Sequence, residues 1–341
     1  MIVLDSISYV DQMKKRYILA IVFLLTTACH LLALESNAER QNMLVTYYDR
    51  FDNVEKEIRY YDEKKSRKLE CVKKISYYSP KGDVSHIAKY FTNEKSKRTG
   101  DFKHVLYLDR KGRILRIEKH HNQKKTQAGQ VFKSIVYLNE QNKIDRVERF
   151  STDRKTESSK IFKVLDKIGH KGHVTQSVVY YASDPEGINP YYKQIIEYNS
   201  KKEKTRLTIH FANRESNELG YYKSIFSFDK KSRKKKEEWF MTDKFRRDEQ
   251  IEKMTFYFDG NGRKTKQEIY PSELGAQRLG VSRTVFFYNN VGTKIKMIRY
   301  YTPEILIQKG YFQGVTYFDK NESVVKEEIY NDKNKLIHLI R

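Results

Sequence analysis

Residues 258–270, F-D-G-N-G-R-K-T-K-Q-E-I-Y, decide the fold, because the same pattern recurs every thirty residues through the chain. The stretch is typical of a β-hairpin. Phe258 ends one strand, Asp259 and Gly262 form the turn, and a lysine-rich strand ends on Tyr270. Asp at the first corner hydrogen-bonds the backbone two residues on, and Gly at the last corner adopts the positive φ that closes the turn. The sequence therefore predicts one hairpin in each period.

Steps of thirty residues from Phe258 reach a large apolar residue every time, at a position that we call the landmark. The landmarks are Tyr48, Tyr78, Leu108, Leu138, Ile168, Tyr198, Phe228, Phe258, Tyr288 and Phe318. The residue twelve positions after the landmark is Tyr or Phe in eight of the ten repeats. Such self-similarity is the signature of a repeat architecture. We predict an all-β fold, a tandem array of ten 30-residue β-hairpin repeats that fills residues 42–341.

The repeats must stack on one another, because a lone hairpin is marginal in water, and stacking buries their aromatic columns. Each strand pair adds about 20° of twist, so twenty strands cannot form a flat sheet. We expect an elongated twisted or superhelical sheet, with a five-bladed propeller of two repeats per blade as the alternative. The polar ten-residue connections, such as 62–71 and 92–101, predict surface loops pinned by their constant length. The apolar connection 332–341 predicts an end cap.

Residues 1–38 have the pattern of a secretory signal, in which a short basic segment precedes an apolar run at 17–34. Small residues before position 39 predict cleavage after Ala38, and Met13 is then the true start. Two alternatives are a lipoprotein acylated at Cys29 and an uncleaved membrane anchor. Each interpretation predicts export of the repeats to the periplasm, the outer membrane or the cell surface. Cleavage leaves Cys71 as a single cysteine that fills a gap in the packing.

The net charge of +23 lies in the repeats, where basic residues form columns. Five positions before the landmark, eight repeats carry Lys or Arg, and we expect four of these lysines to face glutamates across the hairpin. These pairs are Lys103 with Glu118, Lys133 with Glu148, Lys223 with Glu238, and Lys253 with Glu268.

A second basic column, eight positions after the landmark, has no matching acid at the expected register and is the candidate anion-contact column. Its members are Lys56, Arg116, Arg146, Arg206, Lys236, Lys266, Lys296 and Lys326. The alternative is a solvated face that keeps a Tyr-rich sheet soluble and blunts edge pairing. A basic, aromatic sheet suits nucleic acid, but predicted export argues against that partner. We therefore expect an anionic envelope glycan or lipid, or a protein partner, with membrane association through the N-terminus.

The phrases Y-F-D-G-N-G-R-K (257–264), Y-L-D-R-K-G-R-I (107–114) and Y-F-D-K-N (317–321) resemble the YD repeats of Rhs-type shell proteins. They are also similar to the bacterial variant of MORN repeats. The resemblance covers nearly all of residues 42–330, although the thirty-residue period is longer than in either family and the regular Gly-Lys pairs of MORN units are missing. It implies a β-hairpin scaffold that encloses or binds a partner.

No stretch has the pattern of a phosphate-binding loop, a nucleophile elbow or a metalloprotease helix. His170 and His173, and the pair His120 and His121, lack accompanying ligands at metal-binding spacing. We expect no catalytic residue, cofactor or metal. The sequence favours a non-enzymatic exported scaffold that binds an anionic glycan or lipid at the envelope. One alternative is an enclosing or neutralising partner of a toxin or effector, and another is an envelope hydrolase.

Overall fold

The computed structural model describes residues 42–153, 156, 160–182 and 190–340. The predicted signal segment 1–38, with Met13 and Cys29, lies outside the described residues. The chain divides into an N-terminal unit that ends at Leu138 and a C-terminal unit that begins at Asn139. Both units consist of antiparallel hairpins joined by short helices, so the predicted all-β hairpin array is confirmed.

In the part of the N-terminal unit that the structure describes, residues 42–138, seven strands pair in chain order from β1 to β7. The strands are β1 Met43–Tyr48, β2 Val54–Tyr60, β3 Cys71–Tyr78, β4 Val84–Phe91, β5 Asp101–Leu108, β6 Ile114–His121 and β7 Val131–Leu138. Between hairpins lie the helices α1 Glu63–Leu69, α2 Asn93–Thr99 and α3 Gln123–Gly129.

In the C-terminal unit, the described residues form fourteen strands that likewise pair in chain order. They are β8 Ile144–Ser151, β9 Ile161–Ile168, β10 Val174–Tyr181, β11 Tyr191–Tyr198, β12 Lys204–Phe211, β13 Tyr221–Phe228, β14 Lys234–Met241, β15 Ile251–Phe258, β16 Lys264–Pro271, β17 Val281–Tyr288, β18 Lys294–Tyr301, β19 Gln313–Phe318, β20 Val324–Tyr330 and β21 Leu336–Ile340. Among the described residues of this unit, the helices are α4 Asn213–Leu219, α5 Asp243–Asp248, α6 Glu273–Leu279 and α7 Pro303–Lys309.

Strand pairing continues across repeat boundaries, because the second strand of one hairpin also pairs with the first strand of the next. In the N-terminal unit, for example, Ala88 of β4 is the partner of Val105 in β5. Propeller blades are separate four-stranded sheets, so this continuous pairing excludes the propeller alternative within each unit.

The hairpin turns follow the predicted chemistry. Asp109 Oδ1 accepts hydrogen bonds from the N–H groups of Lys111 and Arg113, each at 2.9 Å. Gly112 has the expected positive φ of 75°. Five repeats use a non-glycine residue in the same conformation, with φ between 57° and 66°: Asp52, Asn142, Lys202, Ser232 and Glu322. The Asx hydrogen bonds therefore fix the turn even where glycine is missing.

The connections differ from the prediction, because seven of them contain short helices rather than loops within the described residues. Thr92 caps α2 by accepting a hydrogen bond from the N–H of Lys95, and Gly100 ends the helix with a φ of 77°. The prediction that the connections are held in place is confirmed, because a backbone hydrogen bond joins successive connections. The N–H of Asn122 donates to the carbonyl of Gly100 at 2.8 Å, and Thr242 donates to Gly220 at 3.0 Å.

Four buried aliphatic side chains of the N-terminal unit, Ile58, Ile75, Ala88 and Val105, form a strip along one face of the sheet. Cross-strand pairing places these residues side by side. Tyrosines on either side of the strip pack against it but are only partly buried. The structure thus corrects the expectation that buried aromatic columns hold the repeats together, because aliphatic side chains occupy the centre.

The predicted end cap is a strand. Residues of β21 pair with β20, with Leu339 opposite Glu328. This strand adds to the twenty that the repeats supply, and its apolar side chains remain exposed, with Leu339 at 38% and Ile340 at 50%. Cys71 is buried, as expected of a gap-filling residue, and burial raises the pKa of its thiol.

Candidate anion-binding face

Alternate residues of every strand project to one side of the sheet, which we call the basic face. In the hairpin of β5 and β6 it carries three cross-strand pairs: Lys103 with His120, Val105 with Glu118, and Tyr107 with Arg116. The same three pairs of positions recur through both units. The middle pair forms a central column of aliphatic or acidic residues. The two outer pairs form a row on each side of it, and both rows contain cations and aromatic rings.

This register corrects the predicted opposite-charge pairs. Lys223 lies opposite Phe240, not Glu238, and Lys253 lies opposite Tyr270, not Glu268. The expected pair of Lys103 with Glu118 is wrong for the same reason, because Glu118 lies opposite Val105. The turn occupies more residues than assumed, and a β-bulge at each landmark shifts the pairing.

The row next to the helices, which we call the helix-side ladder, alternates cations with aromatic rings. In the N-terminal unit, Lys73 Nζ lies 5.2 Å from the ring centroid of Tyr60 and 5.4 Å from that of Tyr90. Lys103 Nζ lies 5.2 Å from the other side of Tyr90. Similar cation–ring contacts in the C-terminal unit involve Lys163, Lys193, Lys223, Lys253 and Arg283. Aromatic rings recur as the partners of this basic column, and Lys163 and Lys253 also form ion pairs, with Glu148 at 2.9 Å and with Glu238 at 3.6 Å.

The row next to the hairpin turns, the turn-side ladder, contains all eight predicted contact residues: Lys56, Arg116, Arg146, Arg206, Lys236, Lys266, Lys296 and Lys326. Beside each of these cations lies the aromatic or polar residue that immediately precedes a landmark. Lys56 Nζ lies 4.2 Å from the Tyr47 ring, Arg116 Cζ 3.8 Å from Tyr107, and Lys266 Nζ 3.8 Å from Tyr257.

The expectation that this column has no matching acid is wrong for five of its members. A glutamate two residues on projects to the same face and forms an ion pair. The distances are 3.8 Å for Arg116–Glu118, 3.6 Å for Arg146–Glu148, 3.1 Å for Lys236–Glu238, 3.0 Å for Lys266–Glu268 and 2.5 Å for Lys326–Glu328. Within the described residues, Lys56, Arg206 and Lys296 form no ion pair, although Glu197 is the cross-strand partner of Arg206. Their strands carry Ile58, Thr208 and Ile298 where the others carry glutamate.

Other side chains of the basic face contact these glutamates, as Glu268 illustrates. Glu268 accepts hydrogen bonds from the hydroxyls of Tyr257 and Tyr270, at 3.1 and 2.8 Å, and from Lys266. Burial alone would raise the pKa of Glu268, but the hydrogen bonds outweigh it and lower the pKa. The carboxylate therefore stays ionised and neutralises its ladder cation.

Acidic residues are unevenly distributed between the two units. The central column of the basic face contains Glu148, Glu238, Glu268 and Glu328 in the C-terminal unit. In the N-terminal unit it contains only Glu118, against the cations Lys56, Lys73, Lys103, Arg116 and Lys133. Relative to its acids, the described part of the basic face is most cationic in the N-terminal unit, with five cations to one glutamate, against twelve cations to five glutamates in the C-terminal unit.

A buried polar cluster in the N-terminal unit was missed by the sequence analysis. Asp101 accepts hydrogen bonds from His104 at 2.9 Å, His121 at 2.7 Å and Lys125 at 2.8 Å, and Ser134 lies 3.2 Å from the second His121 nitrogen. Burial would raise the pKa of Asp101, but these donors lower it to about 2. Equivalent positions elsewhere are mostly apolar, such as Val131 and Phe91, and this contrast was the only sequence signal.

Among the described residues, no group of three or more His, Cys, Asp or Glu side chains is arranged to hold a metal ion. His120 lies on the basic face, whereas its neighbour His121 belongs to the Asp101 cluster. In the same described segments, no helix has the length and apolar character needed to cross a membrane.

No protein-family model matches the chain, and no curated protein matches it. Among solved structures, a porin-like protein from Bacteroides vulgatus ATCC 8482 is similar, with 14% identity over 71% of this chain and 92% of that chain, and a TM-score of 0.16. A chain of the TcdB2-TccC3-TEV structure is similar over 87% of this chain and 21% of that chain, with 8% identity and a TM-score of 0.12. At these TM-scores neither likeness supports a conclusion about function.

Proposed function

We propose that the protein is a non-enzymatic repeat scaffold of the cell envelope that binds an anionic glycan or lipid through the basic face of its N-terminal unit. This proposal rests on the excess of ladder cations over acidic residues on the basic face of that unit. Lys56, Lys73 and Lys103 contact tyrosine rings but no carboxylate among the described residues. Stacked cations without acids repel one another, and an anionic partner would offset that repulsion.

The regular geometry supports a scaffold rather than a pocket. Tyrosine rings hold the lysine stems in fixed positions, so less side-chain entropy is lost when an anion binds. Neighbouring strands lie about 4.8 Å apart, so the cations of a ladder recur roughly every 10 Å. An extended partner can contact several of them together, and the weak individual contacts then add up.

Binding to vesicles with and without anionic lipid, and to an immobilised acidic polysaccharide, tests this function. The double variant Lys73→Gln, Lys103→Gln removes two ladder cations. Each lysine close to an anionic surface contributes about 1 kcal/mol, so the variant should bind about thirtyfold more weakly. Binding of the wild-type protein should also fall steeply as salt is added.

A matched control removes the same charge from exposed helix positions, through Lys64→Gln and Lys97→Gln. Its affinity should stay within about threefold of the wild type. Equal losses in the two variants would show that net charge alone drives binding, and insensitivity to salt would refute the proposed contact face. Mass spectrometry of the native N-terminus tests the envelope location, for which we expect cleavage after Ala38.

A further inference from the structure

A third ladder lies on the opposite side of the sheet in the C-terminal unit. Four lysines, thirty residues apart, each lie over the landmark ring of the next repeat. Lys204 Nζ is 4.1 Å from the Phe228 centroid, Lys234 4.1 Å from Phe258, Lys264 4.0 Å from Tyr288, and Lys294 4.3 Å from Phe318. Four nearly equal distances identify a single repeated arrangement, which we call the landmark ladder.

The β-bulge explains why these lysines leave the basic face. Lys234 and Lys236 are two residues apart and would share a face in a regular strand. The register shift at Phe228 interrupts that alternation. Lys234 instead contacts Phe226, Phe258 and Glu237 on the opposite face.

The fold does not require lysine at these positions. The other six repeats have Val or Ile at the same place: Val54, Val84, Ile114, Ile144, Val174 and Val324. An aliphatic side chain therefore satisfies the hairpin packing, and the consecutive run from Lys204 to Lys294 needs another explanation. Lys234 and Lys294 reach Glu237 and Glu322, whereas Lys204 and Lys264 form no ion pair within the described residues.

The spacing of the lysines indicates the kind of ligand. Consecutive ladder lysines are two strands apart, which is about 10 Å. Nucleic-acid strands carry phosphates at much shorter intervals, roughly 3.4 Å. A polysaccharide with one carboxylate in each disaccharide repeats its charge at about the lysine spacing, and its uncharged sugars would then lie over the half-buried rings between the lysines.

The twist of the sheet favours a flexible polymer over a planar membrane as the partner of the landmark ladder. Neighbouring strands rotate by about 20°, so a row of side chains across eight strands winds around the sheet. A flexible chain can follow such a row, whereas a planar bilayer reaches only one or two hairpins. We infer that the landmark ladder, from Lys204 to Phe318, is a binding site for a linear acidic polysaccharide with one carboxylate per disaccharide. It is separate from the basic face of the N-terminal unit and does not depend on the function proposed there.

Titration of the full chain with hyaluronan oligosaccharides, which carry one carboxylate per disaccharide, tests this inference by calorimetry. We expect the octasaccharide, with four carboxylates, to bind at least about tenfold more tightly than the tetrasaccharide. The variant Lys204→Val, Lys264→Val introduces the side chain that other repeats use and leaves no carboxylate without its partner. It should lose at least about tenfold in affinity while keeping the wild-type fold.

Two control variants make the result specific. Lys201→Gln with Lys231→Gln removes two exposed turn lysines of the same region and should change affinity less than about threefold. The Lys64→Gln, Lys97→Gln variant, which removes two exposed helix lysines of the N-terminal unit, should bind the octasaccharide like the wild type. The inference is overturned by absent octasaccharide binding, by equal losses in the ladder and turn variants, or by tighter, ladder-dependent binding to anionic vesicles.

Discussion

Replacing Lys73 by glutamine distinguishes two explanations of the basic columns, cation–π stabilisation and solvated charge. The two explanations predict changes of opposite sign in the free energy of unfolding. Lys73 Nζ lies between the rings of Tyr60 and Tyr90, at 5.2 and 5.4 Å. Each cation–π contact contributes about 0.5–1 kcal/mol at an exposed site, so losing both predicts a destabilisation of about 1–2 kcal/mol. If the lysine only supplies solvated charge, its removal from a chain of net charge +23 reduces repulsion and stabilises the fold.

Urea unfolding, monitored by circular dichroism, measures the sign of this stability change. Hydrogen exchange of the amides in β3 and β4 shows whether the change occurs near residue 73. The local measurement is needed because repeat arrays unfold as coupled segments and not always in one step. Lys64→Gln is the matched control, since Lys64 is exposed on α1. A Lys73→Gln variant as stable as the wild type, or more stable, would refute the reasoning.

Gly262→Ala should cost about 1–2 kcal/mol, because φ is +80° while no atom lies within 4 Å of the added Cβ. Gly220→Ala should cost about 1–3 kcal/mol more, since its Cβ would also meet the Phe245 ring at 2.5 Å; equal urea midpoints for the two variants would contradict this packing. Asp101 has its pKa lowered from 3.8 to about 2, so its stabilising effect is complete above about pH 4 and is lost as the pH falls towards 2. Asp101→Asn should therefore flatten the pH dependence of the unfolding free energy between pH 4 and 2, and an unchanged slope would argue against the cluster.

The hairpins and their turns could be predicted because their chemistry is local. Asp109 and Gly112 act within five residues of each other, and the thirty-residue period repeats the signal. The residues of the turn-side ladder were also predictable as a column. Their acids were not, because the expected register placed Glu118 opposite Lys103 instead of Val105.

The bulge at the landmark explains most of the remaining differences. A bulge is one extra residue in a strand, and no residue type in the sequence announces it. It shifts the glutamates out of the positions directly opposite the helix-side lysines and turns Lys234 to the opposite face. The periodic lysines from 204 to 294 were visible in the sequence, but the side of the sheet on which they lie depends on that bulge.

The first three helices, α1 to α3, were missed because they lack an apolar face. Helix α2 reads N-E-K-S-K-R-T, which offers no hydrophobic periodicity and looks like a loop. The backbone bond that joins successive connections becomes evident only when neighbouring repeats are stacked. The Asp101 cluster is similarly nonlocal, since Asp101, His121 and Ser134 lie on three different strands.

Disulfide trapping across a repeat boundary tests the central claim most directly, because the ladders exist only if neighbouring hairpins pair in this register. Ala88 in β4 and Val105 in β5 are cross-strand partners, and antiparallel partners have Cα separations of about 4.5–5.5 Å, within the range of a disulfide. In a chain with Cys29→Ala and Cys71→Ala, the pair Ala88→Cys and Val105→Cys should crosslink rapidly under mild oxidation. The offset pair Ala88→Cys and Lys103→Cys should not. Preferential crosslinking of the offset pair, or of neither pair in the folded protein, would contradict the continuous sheet and the ladders built on it.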